Sequence, residues 1–322
     1  REVVKMETEL HKFLREHTVS AALNDGGKRL VEVPAESSIQ DTLAAMRAAS
    51  VLSVPVFGRV GHWIGAGGDT TAVVEDRQYI GIVSVVDILY YLYNAQDKEQ
   101  GLKRRVVDAI GASMEGRSLW VSRGDHSLAA AVEPLSKLVH RCLVPVDAHS
   151  FTLLTQTDLV RFIYTFAPRT PGDVFSQTVG DCIEELEARR ERRPLVTATT
   201  LNTVGQALDC LREQSTQAVP IVNSSGKLVG TLSCSDFRGL DAANIAAVCA
   251  MPVERFLQDK ASAHSGPPVN VTCLPSDTVG EVVAKLLLHR VHRAWVVDEF
   301  YKPQDLLSYT DILQAIRLTD AE

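Results

Sequence analysis

The sequence of 322 residues lacks the patterns that mark metal-binding, membrane-spanning or nucleic-acid-binding proteins. Its six cysteines form no Cys-x-x-Cys motif, which excludes the common zinc and thioredoxin-like spacings. No uninterrupted apolar stretch reaches the roughly 18 residues that a membrane-spanning helix needs. The net charge of −7 argues against a general nucleic-acid binder, because such proteins carry a basic stripe. No nucleophile, base and orienting residue form a catalytic set, so an enzyme is not expected.

The same absences bear on where the protein works. No signal-peptide pattern follows Arg1, and the cysteines do not form a disulfide framework, so we expect a cytoplasmic or nuclear protein with scattered buried thiols. Because the chain begins with arginine, we expect native residues to precede it. Hydrophobic residues at 45% and charged residues at 23% are typical of a globular protein with a sizeable core.

One segment recurs four times along the chain. Each copy has a short strand, an amphipathic helix, an apolar strand, a second strand, a Ser/Thr-x-x-Asp tetrapeptide and an apolar helix. The tetrapeptides read SVVD, TQTD, SCSD and SYTD, and successive aspartates are 71, 78 and 75 residues apart. This even spacing predicts four equivalent repeats. Their aspartates are Asp87, Asp158, Asp236 and Asp311.

The first helix of repeats one, three and four has apolar residues at the spacing of one helix face. They are Ile39, Leu43 and Met46; Val204, Leu208 and Leu211; and Val279, Val282, Val283, Leu286 and Leu287. Thr203 with Gln206, and Thr278 with Glu281, match the capping box that begins a helix. In repeat two, Pro134 predicts a kinked or shortened helix.

A single repeat would leave apolar surface exposed on its sheet and helices, so we expect the repeats to dock in pairs. The sequence order suggests repeat one with two and repeat three with four. The turn-forming residues at 168–178 mark the expected boundary.

The Ser/Thr-x-x-Asp tetrapeptides have two interpretations. A carboxylate can accept hydrogen bonds from both hydroxyls of a ribose, and the Ser or Thr at the helix N-terminus can reach a phosphate or the sugar. The same residues also form an ordinary helix-capping arrangement that needs no ligand.

Two His-Arg pairs precede apolar strands that end in aspartate. They are His140-Arg141 before CLVPVD and His292-Arg293 before AWVVD. A guanidinium can contact two phosphate oxygens at once, which favours a phosphate site. The alternative is a set of surface cations at helix ends, where the helix dipole favours them.

These repeats resemble the CBS domain, and four in tandem resemble the gamma subunit of the AMP-activated and SNF1-type protein kinases. The inserted segment within 54–84 is similar to that of the plant gamma-like CBS proteins of the SNF1-related kinase. The resemblance implies an α/β fold of four tandem CBS repeats that form two Bateman modules in a disc. The predicted repeats are 19–95, with an inserted hairpin at 57–79, then 106–167, 179–240 and 252–317.

The resemblance also implies a function and a set of site residues. A non-catalytic regulatory subunit would bind AMP, ADP or ATP between its repeats and modulate a SNF1-related kinase through the kinase alpha and beta subunits. It needs no cofactor or metal, and a homodimer through the CBS discs is a further implied partner. The implied phosphate contacts are His140, Arg141, His292 and Arg293. The implied ribose contacts are Ser84, Asp87, Thr155, Asp158, Ser233, Asp236, Ser308 and Asp311. The alternative is a ligand-free CBS scaffold that serves only for protein interaction.

Several positions differ from the kinase gamma pattern. Leu52-Ser53 stands where that pattern has an arginine, and LLTQTDL at 153–159 lacks its basic residues. The chain keeps an aspartate, Asp158, in repeat two, where gamma subunits typically lack it. His140 is seven residues before Asp147, whereas His292 is six before Asp298, so a β-bulge is expected if both pairs face the same way.

Overall fold

A computed structural model of the protein describes ten segments of the chain. These are residues 8–23, 30–59, 73–74, 77–113, 119–137, 139–147, 150–188, 195–213, 216–263 and 270–318. The predicted insertion at 57–79 therefore lies partly outside the described residues. Its ends extend strands that pair with each other, from Phe57 opposite Tyr79 to Arg59 opposite Arg77.

The described residues contain thirteen α-helices. They are α1 (Glu9–Glu16), α2 (Val19–Ala22), α3 (Ile39–Ala49), α4 (Val85–Asn94), α5 (Lys98–Leu102), α6 (Leu128–Leu135), α7 (Gln156–Phe166), α8 (Val179–Glu187), α9 (Val204–Glu213), α10 (Ile245–Ala250), α11 (Val253–Ala263), α12 (Val279–His289) and α13 (Tyr309–Leu318). Three short 3₁₀ helices accompany them, at Val106–Ala109, Cys234–Phe237 and Ala242–Asn244.

Twelve strands are present in the same residues. They are β1 (Val33–Pro34), β2 (Ser53–Arg59), β3 (Val73–Val74), β4 (Arg77–Ser84), β5 (Arg141–Pro145), β6 (Phe151–Thr155), β7 (Ala198–Thr199), β8 (Ala218–Val222), β9 (Leu228–Ser233), β10 (Thr272–Cys273), β11 (Arg293–Val297) and β12 (Pro303–Ser308). They form four small sheets, one for each repeat, with orders β1-β2-β4-β3, β5-β6, β7-β8-β9 and β10-β11-β12.

The two longer strands of every repeat form an antiparallel pair, and the short leading strand adds in parallel. Strands β1 and β10 have two residues each. The apolar runs at 29–33 and 268–272, which the sequence predicts as these leading strands, lie partly outside the described residues. In repeat two the leading strand is reduced to a single bridge between Val121 and Leu143.

The chain forms two compact units, each with its own hydrophobic core. Unit 1 consists of Arg1–Lys28, Trp120–Leu195 and Asn270–Glu322, and unit 2 of Arg29–Leu119 and Val196–Val269. Unit 1 therefore holds the sheets of repeats two and four, and unit 2 those of repeats one and three.

The compact units group repeat two with repeat four and repeat one with repeat three, whereas the sequence order suggests repeat one with two and repeat three with four. Helix α13 of repeat four packs against α7 of repeat two, and α10 of repeat three packs against α4 of repeat one. The apolar helices α7 and α13 thus cover each other in unit 1, and α4 is covered by α10 in unit 2. The expected boundary at 168–178 lies inside unit 1.

Each predicted repeat is also divided between the units. The leading helix of repeat three, α8, lies in unit 1, whereas the sheet of that repeat lies in unit 2. The bridge between Thr178 and Thr278 joins the starts of α8 and α12 within unit 1. The chain therefore crosses from one unit to the other inside every predicted repeat.

Local sequence signals correctly predict the first helices. The predicted apolar faces of α3, α9 and α12 are buried, except that Leu287 of α12 is only partly buried against the same core. Thr278 and Glu281 form the predicted capping box, with the Thr278 N–H donating to Glu281 Oε2 at 2.8 Å. The Thr203 N–H donates to Gln206 Oε1 at 2.9 Å in the same way. Pro134 lies next to the end of α6, which has only eight residues.

Repeat three departs from the predicted pattern after its tetrapeptide. The expected apolar helix is replaced by the four-residue 3₁₀ helix Cys234–Phe237. Gly239, two residues further on, has a φ of 76°, a left-handed conformation that ends the helical path. Helix α10 begins only after a second 3₁₀ turn.

No helix among the described residues is long and apolar enough to cross a membrane. The part of the chain that the structure describes also contains no cluster of His, Cys, Asp or Glu suited to a metal ion. Four of the six thiols are buried, as predicted, and burial raises the pKa of Cys182 to about 12. Cys210 and Cys234 are partly exposed.

Candidate functional site

All four Ser/Thr-x-x-Asp tetrapeptides begin a helix at the end of the last strand of their repeat. In each tetrapeptide, the main-chain N–H of the first residue donates a hydrogen bond to Oδ2 of the aspartate. The donor–acceptor distances are 2.9 Å at Ser84, 3.1 Å at Thr155, 2.6 Å at Ser233 and 2.9 Å at Ser308. The capping interpretation therefore holds at all four places, and it occupies Oδ2 of each aspartate.

The His-Arg pairs occupy equivalent positions beside two of these tetrapeptides. Arg141 lies opposite Thr155 in the β5–β6 ladder, and Arg293 lies opposite Ser308 in the β11–β12 ladder. The carbonyl of each histidine accepts a main-chain bond from the second residue of the tetrapeptide, at 3.1 Å in both repeats.

The unequal spacing of the two pairs from their aspartates does not change this equivalence. The β11–β12 ladder shifts register between Val296 and Val297, after Arg293 has been placed. That shift skips Gln304 on β12, not a residue between His292 and Asp298, and the β5–β6 ladder is regular. The bulge expected between a His-Arg pair and its aspartate is therefore absent from both ladders.

Both His-Arg pairs lie in unit 1, together with the tetrapeptides of repeats two and four. The Gln156 Nε2 amide donates to Thr310 Oγ1 at 2.9 Å, so the first turns of α7 and α13 are in contact. The same Nε2 donates to the Leu135 carbonyl at 2.8 Å, and Gln156 is only 7% exposed. One buried amide thus joins the two tetrapeptides that carry cationic neighbours.

The four cationic side chains differ in exposure. Arg141, Arg293 and His140 are half-buried, and His292 is exposed. The His292 ring lies edge-on to the buried ring of Tyr309, with centroids 5.8 Å apart. Each His-Arg pair thus lies beside the N-terminus of a helix, and both helices belong to unit 1.

Unit 2 has no cation at the corresponding positions. Ser53 lies opposite Ser84 and Ala218 lies opposite Ser233, in the places that Arg141 and Arg293 occupy in unit 1. The residues before them, Leu52 and Gln217, accept the equivalent main-chain bonds at 2.8 and 2.9 Å. The main-chain arrangement at these positions is the same in both units, but the side chains are cationic in unit 1 and uncharged in unit 2.

The aspartates also differ in their access to solvent. Asp87 is 0% exposed, and its Oδ1 accepts a 2.6 Å bond from the Ser113 N–H. Burial raises the pKa of the Asp87 carboxyl, and the hydrogen bonds from Ser84 and Ser113 offset part of that rise. Asp158, Asp236 and Asp311 are each half-buried.

Sequence reasoning missed two residues of unit 1 and one of unit 2. Residues 153–159 contain no basic residue, but Arg161 follows them on the same helix, and its Nη1 lies 3.3 Å from Asp158 Oδ1. Its spacing of three residues on one helix was the available signal. Gln156 and Ser113 act through contacts with distant parts of the chain, for which the sequence carries no local signal.

Comparison with known families and curated proteins identifies similar sequences. The family model for the CBS domain matches residues 178–242 and 267–318. Two SNF1-related protein kinase regulatory subunit gamma-like proteins of Arabidopsis thaliana are 31% and 28% identical, over 90% and 91% of this chain and 92% of each relative. The human 5'-AMP-activated protein kinase subunit gamma-3 is 28% identical over 96% of this chain and 61% of its own length.

Solved structures show a likeness of fold. A protein of Methanocaldococcus jannaschii, proposed to be an archaeal homologue of the AMPK gamma subunit, aligns with a TM-score of 0.67 at 17% identity. That alignment covers 92% of this chain and 99% of the archaeal one. A conserved protein of Pyrococcus horikoshii aligns over 93% of this chain with a TM-score of 0.51 and 16% identity. The predicted α/β fold of CBS repeats is confirmed.

Proposed function

Because this chain belongs to the family of SNF1-related protein kinase regulatory subunit gamma-like proteins, we propose that it is a non-catalytic regulatory subunit that binds adenine nucleotides. The observation that carries the proposal is the placement of both His-Arg pairs in unit 1, at equivalent positions beside tetrapeptides that are in contact. The chain of the curated relatives is matched over nearly its whole length, which supports a shared function.

The phosphate of the nucleotide would be bound by Arg141 and Arg293, with His140 and His292 beside them. A nucleoside monophosphate carries close to two negative charges, and two guanidiniums can meet them through bidentate hydrogen bonds. Each hydrogen bond to a charged group contributes about 1.5–3 kcal/mol, so loss of one arginine would weaken binding by roughly 10- to 100-fold.

The ribose hydroxyls would be bound by Asp158 and Asp311. In both residues Oδ2 caps the helix, and both are half-buried rather than enclosed. The hydroxyl of the capping Thr155 or Ser308 lies in the same first turn. The ribose would thus bind a carboxylate that is already oriented by capping the helix on which it lies.

Regulation of a kinase requires that the nucleotide bind two states of the complex with different affinity. The kinase alpha and beta subunits would therefore change the nucleotide affinity of this chain by the same factor by which nucleotide changes their association. Similarity to gamma subunits of SNF1-related and AMP-activated protein kinases supports the other subunits of such a kinase as the partners.

Titration calorimetry with AMP, ADP and ATP tests the ligand. We expect binding that Asp158→Ala and Asp311→Ala weaken, and that Asp41→Ala, an exposed capping carboxylate of α3 outside the site, leaves unchanged. Absence of heat with all three nucleotides at millimolar concentration would contradict the ligand assignment. A repeat titration in the presence of the kinase alpha and beta subunits tests the coupling.

A ligand-free CBS scaffold is the second candidate. It is favoured by the fact that all four tetrapeptides form complete caps without a ligand. A scaffold would bind the kinase subunits with an affinity that no adenine nucleotide alters. The same titrations therefore distinguish the two functions.

A further inference from the structure

We propose that repeat one contains a self-closed ligand site, in which the chain segment Ile110–Ser113 occupies the place of a ribose. The main-chain N–H of Ser113 stands in for a ribose hydroxyl as a donor to Asp87. This inference rests on the proposed function for the identity of the ligand, an adenine nucleotide. The hydrogen bond between Ser113 and Asp87 lies within unit 2.

The hydrogen bond from Ser113 is accepted by Asp87 Oδ1, the carboxylate oxygen that does not cap α4. Asp87 Oδ2 accepts from the Ser84 N–H at 2.9 Å and from Ser84 Oγ at 2.6 Å. Oδ1 accepts from the Ser113 N–H at 2.6 Å. Both oxygens of the carboxylate are therefore engaged within the chain, and Asp87 is fully buried.

Repeat two shows the same tetrapeptide without such a closure. Asp158 Oδ2 caps α7, but Oδ1 faces the exposed side chain of Arg161 at 3.3 Å. The Asp158 side chain is 15% exposed. The two repeats thus share one cap geometry and differ in what meets Oδ1: a flexible surface arginine in repeat two, the backbone of Ser113 in repeat one.

Ile110, the first residue of the segment Ile110–Ser113, packs closely against Gly81 of strand β4. An added Cβ on Gly81 would lie 2.9 Å from Ile110 Cγ2, so only glycine allows Ile110 to lie this close to the strand. Gly111 has a φ of 81°, which turns the chain towards Asp87 and which other residues rarely adopt. The packing of Ile110 and the turn at Gly111 together direct the Ser113 N–H towards the Asp87 carboxylate.

The base of the segment is packed in the core of unit 2, and its end is held mainly by the 2.6 Å bond from the Ser113 N–H to Asp87 Oδ1. Val106 and Ala109, in the preceding 3₁₀ helix, are fully buried. Beyond them the main-chain bonds are long, 3.3 Å from Ile110 N to the Val107 carbonyl and 3.2 Å from Ala112 N to the Ala109 carbonyl. Ser113 is only half-buried. Ligand could therefore displace the end of the segment while its base stays packed.

The closure has a consequence for nucleotide binding. A ligand that needs Asp87 binds only the fraction of molecules in which Ser113 has moved away, and its apparent affinity falls by that fraction. Repeat one would thus be filled after the sites of unit 1, at higher nucleotide concentration.

Hydrogen exchange tests the contact without any ligand. In the wild-type protein we expect the Ser113 amide to be protected, and in Asp87→Ala to exchange about tenfold faster or more. Asp41→Ala removes a comparable capping carboxylate of unit 2 and should leave the Ser113 amide unchanged. Equal exchange of this amide in the wild type and in Asp87→Ala would overturn the closure.

Calorimetry with AMP tests the latent site. Ser113→Pro removes the N–H donor, and we expect one binding event more per chain than in the wild type, lost again in Ser113→Pro with Asp87→Ala. Ser113→Ala keeps the main-chain N–H and is the matched control, with wild-type stoichiometry expected. Gly81→Ala disturbs the packing of Ile110 against β4, and should also add one AMP-binding event per chain.

The outcomes separate this inference from the proposed function. A wild type that binds no nucleotide contradicts the proposed function, yet an event gained in Ser113→Pro would still support the latent site. Unchanged stoichiometry in both Ser113→Pro and Gly81→Ala overturns the latent site, whatever the wild type binds.

Discussion

Gln156→Leu tests the pairing of repeat two with repeat four. The Gln156 amide is buried and joins α7 to the first turn of α13 through Thr310 and to the Leu135 carbonyl. Leucine has similar volume but no donor. Loss of the neutral bond to Thr310 costs about 1 kcal/mol, and the orphaned Leu135 carbonyl costs about 1–3 kcal/mol. We therefore expect the free energy of unfolding of unit 1 to fall by about 2–4 kcal/mol.

Urea unfolding followed by the fluorescence of Trp295 measures this change. Trp295 lies in unit 1 and is 1% exposed, and replacing Trp63 and Trp120 by phenylalanine isolates its signal. Thr310→Val should cost about 1 kcal/mol, and the double variant should show coupling because the two residues share one bond. A cost below about 0.5 kcal/mol for Gln156→Leu, typical of a surface position, would refute the pairing.

Two further predictions concern caps and pH. Thr278→Ala removes the hydroxyl that accepts from the Glu281 N–H at 3.2 Å, and should lower the free energy of unfolding by about 1 kcal/mol in the same urea assay; no change would show that the capping box adds nothing. Burial raises the pKa of Asp87 above its ordinary 3.8, so the folded state holds this proton more tightly than the unfolded state. Relative to Asp87→Asn, the wild type should therefore lose stability as the pH rises from 3.8 through the raised pKa, and a gain over that range in urea titrations would contradict the buried-carboxyl assignment.

The features that depend on neighbours along the chain could be predicted from the sequence. Helix faces such as Val282 and Leu286 repeat at the helix period, and the capping box at Thr278 and Glu281 requires residues only three apart. The positions of the tetrapeptides follow for the same reason. These signals are local, and the structure contains them where the sequence places them.

The pairing of the repeats could not be predicted in this way. The sequence predicts an apolar helix in every repeat, so the hydrophobic pattern alone suits several partners. The choice depends on particular contacts, such as the bond from Gln156 to Thr310, 154 residues apart. The shortened helix after Ser233 in repeat three also changes which surfaces match.

The closure of Asp87 by Ser113 was hidden for a related reason. The two residues are 26 positions apart, and the donor is a main-chain N–H that any residue except proline would supply. Only the glycines at 81 and 111 hint at a close approach and a left-handed turn, and neither points to Asp87. Identical tetrapeptide geometry therefore has different consequences in repeats one and two.

The central claim is that unit 1 binds a nucleotide phosphate through Arg141 and Arg293. The most direct measurement is the affinity for AMP, by calorimetry at two salt concentrations, of the wild type, Arg141→Ala with Arg293→Ala, and Arg123→Ala as an exposed control of the same unit. We predict that the double variant loses roughly 100-fold or more in affinity and most of the salt dependence, while the control retains both. An unchanged affinity in the double variant would contradict the account.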